Sequence, residues 1–138
     1  MDKILIDSDV CLDSFTVRYP FNVEADKLLL MVEDSLVQGI VSAESFSNMH
    51  YVLRKFSSSQ TSFELLNQLK MIVSIGIVDS EVVTQALQSG WNDLEDAIQY
   101  YCAVKESCDA IITRNTKDYT LSEIPVYNPS DWLKKNSQ

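Results

Sequence analysis

Acidic residues stand at three separated points of the chain, each beside an apolar run or at the start of a helical pattern. They are Asp7 and Asp9, then Asp93, Glu95 and Asp96, and finally Asp118. If the fold brings them together, like charges a few ångströms apart oppose one another, so the cluster needs protons or a cation. Mg²⁺ and Mn²⁺ prefer carboxylate oxygens. A cation held in this way can activate water and stabilise charge on a phosphate oxygen.

The first half of the chain predicts two strands and three helices. The apolar run Ile4–Ile6 is typical of a buried parallel strand, and it ends at Asp7. Further elements are a helix capped by Asn22 that runs to about Gln38 and stops at Gly39, a brief strand at Ile40–Val41, a helix capped by Ser42, and a helix introduced by the capping box Thr61–Glu64.

The second half continues the alternation of strands and helices. Its predicted strands are Ile72–Val78, Ala110–Thr113 and Pro125–Tyr127, and a loop runs from Arg114 to Tyr119. Its predicted helices are one capped by Asp79 or Ser80 that ends near Gly90, one opened by Asp93, and one capped by Asn128 with Pro129 at its first position.

This order predicts a parallel α/β sheet flanked by helices, since no hairpin signal such as Asn-Gly is present. In open sheets of this kind, ligands bind beyond the carboxyl ends of the strands. Asp7, Asp118 and the helix start at Asp93 are therefore expected to meet at one edge of the sheet.

Composition narrows the class of protein. The 138 residues suit one domain over 1–138 with a disordered tail in the last few residues, and 46% of them are hydrophobic. A net charge of −9 argues against broad non-specific binding to nucleic acid. The chain contains neither a membrane-spanning stretch nor a signal-peptide pattern, and its three cysteines lack a C-x-x-C pair. A cytoplasmic location is the expectation, with the cysteines as small buried hydrophobes.

Four segments, in the right order, resemble the motifs of the PIN domain family, particularly the bacterial branch that includes VapC-type toxin ribonucleases. They are Ile4–Asp13, similar to an apolar strand followed by Asp-Thr-Asn-Val-Leu-Leu-Asp; Asp93–Tyr100, similar to Asp-Phe-Glu-Asp-Ala; Ile112–Tyr119, similar to Thr-Arg-Asn-x-x-Asp-Phe; and Val126–Pro129, similar to the closing strand and its Pro-initiated helix. The resemblance covers nearly the whole chain.

The resemblance implies a three-layer α/β/α domain and a metal-dependent endoribonuclease. Asp7, Asp96 and Asp118 would hold Mg²⁺ or Mn²⁺ for hydrolysis of an RNA phosphodiester, leaving a 5′-phosphate and a 3′-hydroxyl. It further implies a homodimer, with an antitoxin protein as a partner. Supporting residues would be Asp93 as a ligand or a neighbouring carboxylate, Thr113 and Asn115 as orienting groups, and Arg114 and Lys117 as phosphate-binding groups.

One position departs from the family pattern. The family usually carries another acidic residue on the helix after the second strand, and the equivalent residue here is Asn48. Asn offers a neutral carbonyl oxygen but no negative charge. Glu44 precedes it by one helical turn and lies on roughly the same face, so it is a candidate substitute.

Several of the singled-out residues also have ordinary structural interpretations. Asp96 could be a first-turn helix acid, since the helix dipole favours a carboxylate there. Turn or cap roles are expected for Asp9 and Asp13, and a packed or partly exposed helix position for His50. Trp91 is expected to pack, or to line the mouth of the site.

Three functions remain open from the residues. The first is the metal-dependent ribonuclease, and the second is a scaffold of the same fold that binds RNA or protein without cutting it. The third is a phosphatase of the haloacid-dehalogenase type, because Asp7-Ser8-Asp9 follows an apolar strand. Cys11 and the lack of the later lysine and paired-Asp motifs disfavour the third. A receiver domain is disfavoured because Tyr127-Asn128-Pro129, where the last strand ends, supplies no lysine.

Overall fold

A parallel sheet organises the fold in the computed structural model, which describes residues 1–136. The strands lie in the order β3-β2-β1-β4-β5, and every neighbouring pair is parallel. Short apolar runs form the central strands because both of their faces are buried. The strands are β1 (Lys3–Ile6), β2 (Gln38–Ser42), β3 (Ser74–Gly76), β4 (Ala110–Ile112) and β5 (Val126–Tyr127).

Helices connect the strands and cover the sheet. They are α1 (Ser8–Phe15), α2 (Phe21–Glu33), α3 (Ala43–Phe56), α4 (Ser59–Ile72), α5 (Ser80–Leu87), α6 (Leu94–Lys105) and α7 (Pro129–Asn136), with a short 3₁₀ helix at Thr116–Tyr119. Each crossover connection returns the chain to the same end of the sheet, as parallel pairing requires.

The two faces of β1 show why the domain has three layers. Ile4 and Ile6 pack on one face with residues of α1, α2, α3, α4 and α7. Leu5 points to the other face, where it packs with residues of α6. Successive side chains of a strand alternate between faces, so one buried strand joins two cores. The predicted α/β/α sandwich with a mainly parallel sheet is confirmed.

The first part of the chain departs from the predicted elements. Helix α1 begins directly after Asp7, in a segment for which no helix was predicted, and it buries Val10 and Cys11. Helix α2 ends at Glu33 rather than near Gln38, and Gly39 lies within β2. A Cβ atom at Gly39 would lie 3.0 Å from Val32 Cγ1, so the glycine allows the strand to approach α2 closely. Its expected role as a helix stop is wrong.

Two further boundaries differ, while the expected caps of four helices are present. Helix α4 is capped by Ser58, whose Oγ accepts a hydrogen bond from Thr61 N at 3.0 Å, so the capping box predicted at Thr61 is wrong. The helix continues to Ile72 and shortens the strand predicted there. Side-chain caps are found at the predicted residues Ser42, Asp79, Asp93 and Asn128.

The ends of the chain and the cysteines complete the description. Helix α7 runs to Asn136, and the expected disordered tail falls on Ser137 and Gln138, which lie outside the described residues. Within residues 1–136, no helix has the length and apolar character needed to cross a membrane. All three cysteines are buried and free, as small hydrophobic residues would be.

Candidate active site

Asp7 is positioned by the end of the central strand. Its backbone N–H donates to Ile112 O of the neighbouring strand at 2.9 Å, which extends the sheet pairing by one residue. Its own φ and ψ of −67° and 151° are extended, and α1 begins at the next residue. The side chain therefore leaves the sheet at its carboxyl edge, where parallel α/β proteins bind ligands.

Three donors that are distant in sequence hold the Asp7 carboxylate, and the neighbouring Ser8 Oγ adds a longer contact to Oδ1 at 3.4 Å. Its Oδ2 accepts from Thr113 Oγ1 at 2.9 Å and from the Tyr119 hydroxyl at 3.2 Å. Its Oδ1 accepts from Gln99 Nε2 at 3.2 Å. Hydrogen bonds to the ionised form fix the direction of a carboxylate and stabilise its charge. Asp7 is thus held in one orientation.

Asp96 lies in the first turn of α6, near Asp7. Its backbone N–H donates to Asp93 Oδ1 at 3.1 Å, so Asp93 caps the helix. Burial is the main reason that the pKa of Asp96 rises from its ordinary 3.8 to about 7. The charges of Asp93, Asp7 and Asp118 make smaller contributions to the same rise in pKa. The carboxylates of Asp7 after β1, Asp96 on α6 and Asp118 in the 3₁₀ helix are therefore close together.

Asp118 approaches from the 3₁₀ helix after β4. Its side chain is exposed, and its backbone N–H donates to Asn115 O at 3.0 Å. Together with Asp93 and Asp96 it lines a cleft of about 340 Å³. We refer to Asp7, Asp96 and Asp118 as the acidic site.

The donor chemistry of the acidic site fits Mg²⁺ or Mn²⁺. All of its side chains offer carboxylate oxygens, which these hard cations prefer. Burial first, and then the charges of Asp93, Asp7 and Asp118, raise the pKa of Asp96, and a bound cation would counteract this rise by stabilising the ionised carboxylate. Among the described residues, however, no three histidine, cysteine or acidic side chains are already arranged to hold one ion. The carboxylate oxygens are of the type that Mg²⁺ and Mn²⁺ prefer, but the side chains would have to move to coordinate one ion together.

Asp9 connects α1 to the loop that carries Asp118. Its Oδ2 accepts from Arg114 N at 3.2 Å and from Asn115 Nδ2 at 3.1 Å. Burial and the charge of Asp7 raise the pKa of Asp9 well above its ordinary value. Asp9 was expected to be a turn or cap residue, and these contacts show instead that it holds the loop after β4. Asn115 contacts Asp9 and orients the same loop.

The two predicted phosphate-binding residues have different surroundings. Arg114 makes a bidentate ion pair with the buried Asp13, with Nε–Oδ2 and Nη2–Oδ1 distances of 2.9 and 3.2 Å. Its guanidinium also lies 4.4 Å from the centre of the Phe21 ring. Lys117 is exposed and lines the cleft beside Asp96 and Asp118. Of the two, only Lys117 faces the acidic site.

Glu44 and Asn48 lie on α3 at the margin of the site. Burial, followed by the charges of Glu95 and Asp93, raises the pKa of Glu44. Glu44 therefore lies near the acidic residues Asp93 and Glu95 at the start of α6. Asn48 is partly buried, one turn beyond Ser45, and no side-chain hydrogen bond joins it to another described residue.

Sequence reasoning missed two of the groups that hold Asp7. Gln99 is 5% exposed and bridges Asp7 to Ser45, whose Oγ it approaches at 3.0 Å. Tyr119 is 3% exposed, and its hydroxyl reaches Asp7. The sequence does contain an indication for Gln99, because it is a polar residue one turn after Asp96 on a helix face whose other residues are predicted to be buried. The single histidine, His50, packs against Phe63 on α4 and bonds Ser62 Oγ at 2.7 Å, far from these groups in the fold.

An open parallel sheet with carboxylates at its carboxyl edge defines an α/β protein with a polar, ligand-accessible site. A family model described as the PIN domain matches residues 3–117. The chain belongs to the PIN domain family, and the matched region contains both Asp7 and Asp96.

Known proteins resemble the chain over nearly its whole length. Ribonuclease VapC1 of Aquifex aeolicus (strain VF5) is 27% identical over 142 residues, with 97% of this chain and 95% of that protein aligned. A toxin–antitoxin complex from Klebsiella pneumoniae matches 91% of this chain and 97% of that one, with 24% identity and a TM-score of 0.68. DNA-bound VapBC from Salmonella typhimurium matches 94% and 99%, with 11% identity and a TM-score of 0.71. The solved structures confirm the fold.

Proposed function

We propose that this PIN domain protein is a divalent-cation-dependent endoribonuclease that hydrolyses RNA phosphodiesters and leaves a 5′-phosphate and a 3′-hydroxyl. The observation that carries the proposal is the Asp7 carboxylate, held by three donors distant in sequence and lying near enough to Asp96 for its charge, like that of Asp118, to raise the pKa of Asp96. Family membership and the likeness to a protein named as a ribonuclease support it.

Asp7, Asp96 and Asp118 are the residues that would hold Mg²⁺ or Mn²⁺, with Asp93 beside them. When bound, the cation supplies a means of activating water and of neutralising charge on a phosphate oxygen. Thr113, Tyr119 and Gln99 keep Asp7 oriented, and Asp9 and Asn115 keep the loop of Asp118 in place. Lys117 adds a positive charge for the phosphate of the substrate.

The likeness to toxin–antitoxin complexes supports a regulatory setting for this activity. We propose that the chain is the toxin of such a pair, is bound by a cognate antitoxin, forms a homodimer and acts in the cytoplasm. Co-expression with the product of a neighbouring small gene, followed by size-exclusion chromatography with light scattering, tests both assemblies. Monomeric protein that co-purifies with no partner would contradict them.

The activity itself is tested with purified protein, single-stranded and structured RNA, and Mg²⁺, Mn²⁺ or EDTA. We expect cleavage that requires metal and disappears in Asp7→Asn and Asp96→Asn. Asp34→Asn is the matched control, because it removes the same charge from an exposed residue after α2, at the opposite edge of the sheet. Cleavage that survives both site variants, or persists in EDTA, would overturn the proposal.

A second function is favoured by one observation. Asn48 stands where the family usually carries an acid, and it supplies no charge to the site. A scaffold that binds RNA or protein without cutting is the corresponding alternative. RNA binding without cleavage in Mn²⁺, with cleavage gained in Asn48→Glu, would support the scaffold over the nuclease.

A further inference from the structure

A cleft beside the acidic site combines an aromatic wall with polar groups. Its volume of about 340 Å³ is at the lower end of the range for small-ligand sites. Asp96 and Asp118 form the side that belongs to the acidic site. The other residues that line it are Gly90, Trp91, Asn92, Lys117, Thr120 and Leu121.

The ring of Trp91 is fixed before any ligand arrives. Tyr100 stacks on it with ring centres 5.1 Å apart and planes at 28°. Tyr119 contacts it in an edge-on arrangement at 5.6 Å. Gly90, at φ 79°, makes the turn that presents Trp91, whose backbone N–H donates to Ser89 Oγ at 3.1 Å. Tyr119 also bonds Asp7, so the aromatic wall and the acidic site share a support.

The other residues that line the cleft indicate which class of ligand it fits. Leu121 is 55% exposed and offers an apolar surface, while the Asn92 amide and the Thr120 hydroxyl can pair with polar edges. A purely apolar ligand would leave the amide unpaired. An isolated phosphate would meet the charges of Asp96 and Asp118. A flat heterocycle with hydrogen-bonding edges suits both kinds of surface, because any base can stack on an aromatic side chain.

We infer that the cleft lined by Trp91, Asn92 and Leu121 is a subsite for a single unpaired nucleobase of the RNA, next to the phosphodiester that is cut. The inference rests on the proposed function, since the same cleft contains Asp96 and Asp118. A base on Trp91 brings its own backbone phosphate toward these carboxylates, with Lys117 beside it. The subsite thereby positions a single-stranded nucleotide for cleavage.

Neutral nucleosides test this subsite without metal or catalysis. The protein has two tryptophans, and Trp132, 3% exposed on α7, is an internal reference. Adenosine or cytidine is titrated into ¹⁵N-labelled protein in EDTA, and the two indole N–H resonances are followed by NMR. We expect a saturable shift of the Trp91 resonance, no shift of Trp132, and no response to ribose.

Substitutions at the wall give the matched comparison. Trp91→Leu keeps an apolar side chain but removes the stacking surface, and should weaken adenosine binding by roughly 5- to 150-fold. Trp91→Phe keeps a ring and should retain most of the affinity. Leu121→Ala changes an exposed residue, so it leaves the fold intact and should weaken binding even if Trp91→Leu fails to fold.

These experiments test the nucleobase subsite independently of the proposed ribonuclease activity. If the Trp91 resonance does not respond to adenosine, or responds equally to ribose, the subsite is wrong even in a protein that cuts RNA. Unchanged affinity in both folded Trp91→Leu and Leu121→Ala overturns it as well. If adenosine binds as expected and no RNA is cut in Mn²⁺, the subsite stands and the proposed nuclease falls.

Discussion

Gln99 is the residue that most tightly connects the helical layer to Asp7. Its Nε2 contacts Asp7 Oδ1 and Ser45 Oγ, while its buried Oε1 has no partner within the described part of the chain. A buried amide with an unpaired oxygen costs stability, so a purely structural reason for this residue is weak. Its contact with Asp7 gives the functional reason.

We therefore expect Gln99→Leu to reduce Mn²⁺ affinity or RNA cleavage by roughly 10- to 100-fold, as loss of a group that orients a metal ligand does. The melting temperature should change little, because the variant also removes the unpaired oxygen. Isothermal titration with Mn²⁺ measures the effect, and Gln85→Leu on the exposed face of α5 is the control. Equal metal affinity in the two variants would contradict the positioning role.

Arg114 was predicted to bind phosphate, but its guanidinium is already engaged in contacts within the fold. Its guanidinium pairs with Asp13, which is 3% exposed, and lies over Phe21. Removing one member of a buried pair leaves an uncompensated charge. The contacts join α1 and α2 to the loop after β4, so the main effect of Arg114 should be on stability.

We expect Arg114→Met to lower the free energy of unfolding by about 3 kcal/mol, the lower end for a buried pair, because the arginine is partly exposed. Lys117→Met, three residues later and exposed, should change it by less than about 0.5 kcal/mol. Urea denaturation measures both. If the two variants proved equally stable, the Arg114–Asp13 pair would contribute nothing to the fold.

At the level of elements, the sequence predicted the five strands along the chain and most helix caps, and it failed where tertiary packing sets the boundaries. Ser42, Asp79 and Asp93 cap their helices through short side-chain contacts, which residue type alone predicts. Gly39 was expected to end a helix because glycine often does so. Its actual place in β2 depends on contact with Val32 and Ile6, which no local pattern contains.

In the acidic site, too, local patterns predicted some residues and missed those that depend on tertiary packing. Asp7, Asp96 and Asp118 were predicted from strand ends, a helix start and the family resemblance, and the fold brings them to one edge of the sheet. The contact between Gln99 and Asp7 spans 92 residues, and that between Arg114 and Asp13 spans 101. Such pairings follow from tertiary packing, so the sequence predicted the carboxylates better than the groups that hold them.

Strand β3 offers a test of packing at the element scale. A Cβ atom at Gly76 would lie 2.6 Å from Cys102 Sγ and 2.9 Å from Ile40 Cγ2, so α6 and β2 leave no space for it. We expect Gly76→Ala to destabilise the protein by about 1–3 kcal/mol through overpacking. Ser74→Ala, at an exposed position of the same strand, is the control for thermal unfolding. Equal stability would mean that α6 can move away freely.

For the whole molecule, the acidic site predicts an unusual dependence of stability on pH. Burial raises the pKa of Asp9 and Asp96 in the folded protein, in the case of Asp96 from 3.8 to about 7. Between these two values the native state binds more protons than the unfolded chain. Stability therefore falls as pH rises through this window, since it increases with pH only where the unfolded state binds more protons. Glu44 acts in the same direction.

In EDTA, we expect the melting temperature to decrease from pH 5 to pH 7.5, and Asp96→Asn to flatten this decrease because an amide does not titrate. A divalent cation should reverse the trend, because it binds the ionised native carboxylates and stabilises the folded state in proportion to its occupancy. Thermal scans in EDTA and in Mn²⁺ across this range measure both effects, and Asp34→Asn should follow the parent. If Mn²⁺ raised the melting temperature of Asp96→Asn at pH 7.5 as much as that of the parent, Asp96 would not be a metal ligand. A parent protein whose stability in EDTA rose with pH over this window would show that the acidic site is not the dominant titrating group.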